Sequence, residues 1–200
     1  MFDLTGRTVL ITGGCGFLGV KHARAILEFG GEVILADILT EESRIDLMNR
    51  LRDEYDTDKI TSVYMDVTDK WSIQKAVDGY NKIDILINNA AIDPKVEESL
   101  GWKNKFEHLE LDLWNEMLNV TLTGTFLCSQ VVVNKMLSTG LESPYCTRGG
   151  VILNIASDLS VISPNQSLYQ KDELDQDSQP VKPITYSVVK TGLIGLTRYV

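Results

Sequence analysis

Short apolar stretches alternate along the chain with longer segments in which apolar residues recur at helical spacing. We predict the short stretches to be strands, at residues 7–14, 32–37, 60–67, 83–91 and 149–157. We predict helices in five segments: one that follows the first strand and ends at Gly30, then 41–55, 69–80 with Thr68 or Asp69 as its cap, 112–138, and a last one from about residue 183.

This order of elements predicts the fold class. Continuously apolar strands that alternate with helices are typical of a parallel sheet covered on both faces. Because crossover connections are right-handed, we expect an α/β architecture, a doubly wound parallel-sheet Rossmann fold. We assign residues 1–200 to a single dinucleotide-binding domain, since no repeat, low-complexity tract or linker interrupts the pattern.

Composition narrows the possible partners. The hydrophobic fraction of 44% and the charged fraction of 24% are typical of a soluble globular protein. A net charge of −9 argues against nucleic acid as a partner, and no apolar run approaches the roughly 20 residues of a membrane span. The N-terminus lacks the pattern of a signal peptide.

The cysteines point to the cellular compartment. Cys15, Cys128 and Cys146 are odd in number and widely spaced, so they form neither a metal-ligand cluster nor a disulfide framework. We therefore expect no metal, and a reducing, cytoplasmic setting.

A glycine-rich turn, TGGCGFLG (12–19), joins the first strand to the first helix. Gly13 allows a tight turn, Gly16 lets a pyrophosphate approach the backbone, and Gly19 lets helix and strand pack closely. The start of the helix then faces the phosphates. The alternative is a glycine-rich turn without a ligand. The same cofactor-binding turn includes Thr12, Phe17 and Leu18.

An acidic residue follows this turn at the end of the second strand. Asp37 lies 18 residues after Gly19, where a carboxylate can accept hydrogen bonds from the adenosine ribose and repel a 2′-phosphate. We therefore predict NAD as the cofactor. The alternative is an aspartate that only caps a helix or a turn. Cys15 is expected in the turn for its small size.

Taken together, the strand-end motifs resemble the short-chain dehydrogenase/reductase family, in its compact single-domain branch. The resemblance covers the whole chain and is carried by these motifs in order: Thr12-Gly13, Asp66-Val67, NNAA (88–91), VTLTGTF (120–126), Ser157 and Tyr186-x-x-x-Lys190. The resemblance implies that Asp66 contacts the adenine, with Val67 beside it as a cofactor-binding residue, and that Asn88 and Ala90 shape the floor of the cofactor site.

The same resemblance implies hydride transfer between a nicotinamide and a carbinol or ketone. An unperturbed tyrosine, with a pKa of about 10, is a poor base at neutral pH. Lys190 lies one helical turn after Tyr186, so its positive charge can stabilise the phenolate. In the family this lysine also binds the nicotinamide ribose, and Ser157 polarises the substrate oxygen.

Two features depart from the family pattern. The glycine spacing is that of the extended nucleotide-sugar branch. Thr121 replaces the asparagine of the N-x-x-G helix motif, and Asn119 lies two residues out of register. We expect the main chain of Thr121 to keep the water relay to the lysine that this position supports in the family. The rival hypothesis is weakened or specialised catalysis.

A third departure is the long span between Ser157 and Tyr186. Its segment 167–183 is acidic in the middle and carries Lys171 and Lys182 near its ends. We interpret it as an insertion that covers the substrate, and the alternative is a disordered surface segment. The chain also stops inside the Tyr–Lys helix, before the C-terminal strands and substrate helices of the family. We therefore expect a piece of a longer protein, poorly stable and little active by itself.

The function that these expectations favour is an NAD(H)-dependent oxidoreductase acting on a small molecule. The segment from the insertion to residue 199 is loosely similar to oxidoreductases of bacterial flagellin-glycan and nonulosonic-acid pathways, which suggests a sugar or sugar phosphate. The alternatives are a nucleotide-sugar epimerase or dehydratase with retained NAD, and a non-catalytic NAD-sensing protein. By resemblance we expect a homodimer or homotetramer that pairs through residues 112–138 and the Tyr–Lys helix.

Overall fold

A computed structural model describes residues 2–93, 101–140 and 150–200. The chain forms two compact units: Met1–Ala90 with Gly124–Asn154, and Ala91–Thr123 with Ile155–Val200. Two sequence expectations, on Cys146 and on residue 149 as the start of a strand, lie outside the described residues. The helices and strands of each unit are given in turn.

A parallel five-stranded sheet forms the centre of the first unit. The strands are β1 (Thr8–Thr12), β2 (Glu32–Asp37), β3 (Ile60–Tyr64), β4 (Ile85–Asn88) and β5 (Val151–Asn154), in the order β3-β2-β1-β4-β5. Val9 pairs with Val33 on one side and with Ile85 on the other. This order reverses direction between β1 and β4, so the predicted doubly wound α/β fold is confirmed.

Six α-helices accompany the strands in the described part of the chain. They are α1 (Phe17–Glu28), α2 (Glu41–Tyr55), α3 (Lys70–Asp78), α4 (Leu111–Met117), α5 (Gly124–Gly140) and α6 (Ile184–Tyr199). Thr40 caps α2 by accepting the N–H of Ser43, and Asp69 caps α3 by accepting that of Trp71. Of the two caps predicted for α3, Asp69 is the one observed.

Four strands, β1, β3, β4 and β5, end earlier than their apolar patterns predict, and the contacts after β3 and β4 show how. β3 stops at Tyr64, and only one further bond, from the N–H of Met65 to the carbonyl of Asp37, continues the pairing. β4 stops at Asn88 because the next two N–H groups, of Asn89 and Ala90, donate to the side chain of Thr12 instead. A competing side-chain acceptor thus ends the β4 ladder.

The helix predicted at residues 112–138 is interrupted. Between α4 and α5 the backbone forms a π-helical segment, Leu118–Thr123. Such wider turns are rare and commonly mark functional sites. The predicted long helix is therefore present but irregular at its centre, where the apolar content of LNVTLT continues the helical pattern and does not reveal the extra residue per turn.

One helical stretch, Leu111–Thr139, has the length and apolar composition of a membrane span. Core helices of water-soluble proteins have the same properties. In this chain the α5 part packs on β4 and α3, and its residues Cys128, Val131 and Val132 are buried. Length and composition therefore do not identify this stretch as a membrane helix.

The second unit brings α4, the π-helical segment and α6 together with short 3-10 turns. The turns are Gly101–Asn104, Phe106–His108, Asp158–Ser160 and Gln166–Tyr169. Gly192 of α6 leaves no room for a side chain, since a Cβ there would lie 2.8 Å from Leu122. The absence of a side chain lets α6 and the π-helical segment approach closely.

Asp84 ties the start of β1 to the segment before β4. Its carboxylate accepts the N–H of Thr8 at 2.8 Å, the Arg7 guanidinium at 3.1 Å and the Lys82 ammonium at 3.2 Å. Burial opposes ionisation, but the Thr8 N–H and the two cations outweigh it, so the pKa of Asp84 lies below its usual range.

We predict that Asp84→Asn lowers the free energy of unfolding by about 1–2 kcal/mol at neutral pH, because charge-assisted bonds are lost. A depressed carboxyl pKa stabilises the fold above the ordinary value of about 4 and stops doing so as pH falls through the lower folded value. The difference between wild type and variant should therefore vanish in acid, measured by urea unfolding across that range. The control is Asp46→Asn, at an exposed position of α2. An equal loss in both variants would contradict the prediction.

Candidate active site

The turn between β1 and α1 has a shape that only glycines allow. Gly13 has a φ of 59°, in the left-handed region, and a Cβ there would lie 3.0 Å from the Cα of Ala90. At Gly19 a Cβ would lie 2.4 Å from the carbonyl oxygen of Gly13. The two glycines therefore let the turn fold back tightly on itself.

The first turn of α1 presents its backbone to the surface. Gly16, Phe17 and Leu18 are exposed, and Gly16 has no side chain with which to cap the helix. The N–H groups of a helix start carry partial positive charge and suit an anionic group. The turn can therefore hold a pyrophosphate, as the glycine spacing predicts.

The side chains of Thr12 and Asn89 join the ends of β1 and β4. The Thr12 hydroxyl oxygen accepts the N–H groups of Asn89 and Ala90 at 3.0 and 2.9 Å. In return, the Asn89 amide donates to the carbonyls of Thr12 and Gly13, each at 3.0 Å. Asn89 was not among the predicted site residues, and its place beside Asn88 in the NNAA motif was the only signal for it.

Asn88 itself is turned into the protein interior. Its side-chain amide donates to the Ser129 hydroxyl at 3.1 Å and to Asn154 at 2.8 Å, and the residue is buried. The contact with Asn154 links the ends of β4 and β5. Asn88 thus supports the sheet edge beneath Ala90 and is itself covered.

Asp37 is buried beside the glycine turn. Its carboxylate accepts the N–H of Cys15 at 3.0 Å and that of Leu39 at 3.2 Å. Burial, together with the nearby Asp37 charge, raises the pKa of the Cys15 thiol to about 11, so the thiol stays protonated at neutral pH. The predicted acid, Asp37, therefore contacts the glycine turn. Cys15 serves as a small packing residue in that turn.

Asp66 and Val67 follow β3 in the same unit. The Asp66 carboxylate accepts the N–H and the hydroxyl of Thr68 at 2.8 and 2.7 Å, which fixes its orientation. Val67 is buried against Gly124, where a Cβ would lie 2.9 Å from the valine side chain. Val67 therefore contributes packing at this edge of the sheet.

In the second unit, α6 presents Tyr186 and Lys190 one turn apart. The Lys190 ammonium lies 5.8 Å from the centre of the Tyr186 ring and donates to the carbonyl of Ile155 at 2.6 Å. Lys190 is 5% exposed. Burial lowers the pKa of Lys190, Asp93 opposes this effect, and the positive charge of Lys182 adds to it.

Ser157 begins the 3-10 turn Asp158–Ser160. Its hydroxyl donates to the Asp158 carboxylate at 2.9 Å and accepts the N–H of Leu159 at 3.2 Å. Thr191 of α6 donates to the carbonyl of Ser160 at 2.8 Å, so the turn is attached to the Tyr–Lys helix. For the hydroxyl to serve a substrate oxygen, its proton must rotate away from Asp158.

Thr121 lies inside the π-helical segment and is 1% exposed. The helix that carries it is therefore distorted at this position. The neighbouring Leu122 packs against Gly192 of α6. The distortion is thus built into the same unit as Tyr186 and Lys190.

A second lysine lies against Tyr186. The Lys182 ammonium is 4.1 Å from the centre of the tyrosine ring and forms an ion pair with Asp93. The helical pattern predicts a start near residue 183 and does not place Lys182 beside the ring, because Pro183 separates it from the helical spacing of α6.

Lys182 also contributes to the wall of a cavity of about 950 Å³ in the second unit. The rest of the wall includes α6 at Ser187 and Val188 and the segment 159–164. This volume suits a small organic molecule.

The chain resembles a known protein family and several of its members. The family model described as short chain dehydrogenase matches residues 7–170. A protein of Thermotoga maritima described as an uncharacterised oxidoreductase is 32% identical over 198 residues, which are 97% of this chain and 64% of that protein. An NAD-dependent glycerol dehydrogenase of Listeria innocua is 28% identical over 166 residues, 81% of this chain and 57% of the dehydrogenase.

Among solved structures, a gluconate 5-dehydrogenase from Burkholderia cenocepacia, in complex with NADP and tartrate, superposes with a TM-score of 0.74. It is 28% identical, and the match covers 98% of this chain and 65% of that one. The chain thus spans somewhat less than two thirds of the length of these relatives.

We predict that Gly19→Ala lowers the free energy of unfolding by about 1–3 kcal/mol, because its Cβ would overlap the Gly13 carbonyl. The control is Gly195→Ala in α6, where a Cβ meets no described atom within 4 Å. That variant should gain about 0.5–1 kcal/mol from helix propensity. Thermal and urea unfolding measure both. Equal stability of Gly19→Ala and wild type would show that the turn has room to spare.

Proposed function

This chain belongs to the short-chain dehydrogenase family, and from that premise we propose that the complete protein is an NAD(H)-dependent oxidoreductase. It would interconvert a hydroxyl and a keto group on a polyhydroxylated small molecule. The observation that carries this proposal is the pairing of Tyr186 with the buried ammonium of Lys190 in one unit, 5.8 Å from ring centre to nitrogen.

The residues of the first unit fit a dinucleotide. The turn from Gly13 to Gly19 offers backbone N–H groups and no obstructing side chain, which suits the pyrophosphate. Asp37 would accept hydrogen bonds from the adenosine ribose. Asp66, with Val67 beside it, is assigned to the adenine. When bound, the nicotinamide supplies or accepts the hydride.

The residues of the second unit are assigned to the proton that accompanies the hydride. Tyr186 would hold or release that proton at its phenolic oxygen. The Lys190 ammonium would favour the phenolate by charge, and the Ile155 carbonyl holds that ammonium in position. Ser157 would donate to the substrate oxygen after its hydroxyl leaves Asp158. The main chain of Thr121 would serve the proton relay from within the π-helical segment.

The substrate class rests on the relatives. One acts on glycerol by its name, and another on gluconate, so polyols, sugars and sugar acids are the compounds to test first. An NAD- and NADP-coupled screen of these compounds and of sugar phosphates, with the complete protein, addresses the substrate directly. Tightly retained NAD without net NADH release would favour an epimerase or dehydratase. Cofactor binding without turnover would favour a sensing protein.

A homodimer or homotetramer remains part of the proposal. In the first unit α5 exposes Phe126 and Leu137, and in the second unit α6 exposes Ile184 and Val188. Exposed apolar side chains on helix surfaces support pairing between subunits. Segment 167–183 of the insertion is proposed to cover the substrate. The cytoplasm is the proposed compartment.

We predict that the complete protein binds NAD at least about tenfold more tightly than NADP, because the buried Asp37 carboxylate repels a 2′-phosphate. Asp37→Asn keeps the size and the acceptor oxygen and removes the charge, so the preference should shrink. Calorimetric titration with each dinucleotide measures both constants. A preference for NADP in the wild type would overturn the cofactor assignment.

We predict that Tyr186→Phe lowers kcat by at least about 100-fold and leaves NAD binding unchanged, since general acid–base catalysis contributes about 10²–10⁴-fold. The matched control is Tyr169→Phe, in the 3-10 turn of the insertion, which should retain turnover. Steady-state kinetics on the best compound of the screen and NAD titration are the measurements. Near-normal turnover of Tyr186→Phe would remove the tyrosine from the mechanism.

A further inference from the structure

Two ammonium groups lie near the ring of Tyr186, and only that of Lys190 belongs to the family motif. Lys182 is nearer to the ring, at 4.1 Å against 5.8 Å, and only 9% of its side chain is exposed. We propose that Lys182 is a positioning residue for Tyr186, holding the ring by a cation–π contact and favouring the phenolate by charge. This inference rests on the proposed function only in that Tyr186 is taken as the proton carrier.

Two hydrogen bonds with the side chain of Gln166 hold the main chain of Lys182 at the end of the insertion. The Gln166 side chain accepts the N–H of Lys182 at 2.9 Å and donates to its carbonyl at 3.1 Å. Pro183 follows and caps α6, and proline restrains the residue before it to an extended backbone. The main chain of Lys182 is therefore fixed from both sides before its side chain reaches the ring.

Asp93 supplies the counter-charge. Its carboxylate pairs with the Lys182 ammonium, and its side chain is 61% exposed, so solvent weakens the carboxylate's field more than that of the buried lysine. A cation over an aromatic face is worth about 0.5–2 kcal/mol, and an ionised phenol is the more electron-rich ring. The lysine thus favours the phenolate, and the aspartate offsets part of that effect.

Other charged groups of the described residues also lie on or near α6. Lys190 and Arg198 are on the helix itself, and Lys105 and Glu107 line the cavity beside it. The packed 3-10 turn brings Asp158, which accepts the Ser157 hydroxyl. The packed α4 brings Asp112 and Glu116, both exposed. The π-helical segment has the sequence LNVTLT, which contains no ionisable side chain. Lys182 and Asp93 are therefore the charges whose removal tests the inference.

The two partners should act in opposite directions. Lys182→Met keeps the stem and removes the positive charge, so the ionisation of Tyr186 should shift to higher pH. Asp93→Asn leaves the ammonium without its counter-charge, so the ionisation should shift to lower pH. Lys182→Arg keeps the charge and should leave the midpoint close to that of the wild type. If the ion pair were purely structural, Lys182→Met and Asp93→Asn would shift the Tyr186 midpoint in the same direction.

The experiment is a pH titration of tyrosinate absorbance in the complete protein. Subtracting the titration of the same variant with Tyr186→Phe added isolates Tyr186 from the other tyrosines, six of which lie in this chain. We expect Lys182→Met to raise the midpoint by about one pH unit and Asp93→Asn to lower it, as a nearby charge does. The acidic limb of the kcat profile should move with each midpoint, by about tenfold in rate on that limb for Lys182→Met.

The matched control is Lys105→Met. Lys105 also anchors the insertion, by donating to the carbonyls of Gln176 and Asp177, but its ammonium bonds the insertion instead of the ring. Its removal should leave the Tyr186 midpoint unchanged. A shift as large as that of Lys182→Met would mean that anchoring of the insertion is responsible, and would overturn the proposal.

Two further outcomes would also overturn it. Shifts of the same sign in Lys182→Met and Asp93→Asn would show a structural pair. A rise in KM for acidic substrates alone, with an unmoved midpoint, would make Lys182 a substrate-binding residue. Because the titration needs no turnover, it separates this inference from the proposed function. Because Asp93 is largely exposed, its variant should fold even if Lys182→Met does not.

Discussion

The hydroxyl of Thr12 is the contact on which the cofactor turn depends. It accepts two backbone N–H groups after β4, while the Asn89 amide returns two bonds to the carbonyls at the end of β1. These four bonds fasten the carboxyl ends of the two strands at which the sheet reverses its order. The left-handed Gly13 and the start of α1 follow directly from this fixed point. The parallel sheet provides this edge, and the reciprocal hydrogen bonds of Thr12 and Asn89 shape it for a ligand.

The sequence predicted the strands, their parallel arrangement and most helices, because apolar periodicity reports which side chains are buried. It did not predict where β4 ends, since the competing acceptor, Thr12, lies on another strand and 77 residues away from Asn89. It also missed the π-helical segment, because the apolar pattern of residues 112–138 is compatible with both kinds of helix. Local spacing indicates the elements, and contacts between distant residues decide their ends.

The candidate site divides in the same way. The pairing of Tyr186 with Lys190 could be read from a spacing of four inside a regular helix. The position of Asp37 could be read from the end of β2. The place of Lys182 could not, although it too lies four residues from Tyr186, because the segment before Pro183 is extended and its ion-pair partner is 89 residues away. Neither residue type nor spacing signals such a contact.

The two-way bond between Gln166 and the main chain of Lys182 has a consequence for the variation of this loop. The loop of residues 167–181 is closed by the Gln166 side-chain amide, which bonds the main chain of Lys182. Within the loop, Gln179 and Lys171 bond each other. The entropic cost of closing a loop grows only slowly with its length. Residues 167–181 can therefore be lengthened, shortened or exchanged while α6 keeps its register, so this loop can vary without disturbing the helix that carries Tyr186 and Lys190.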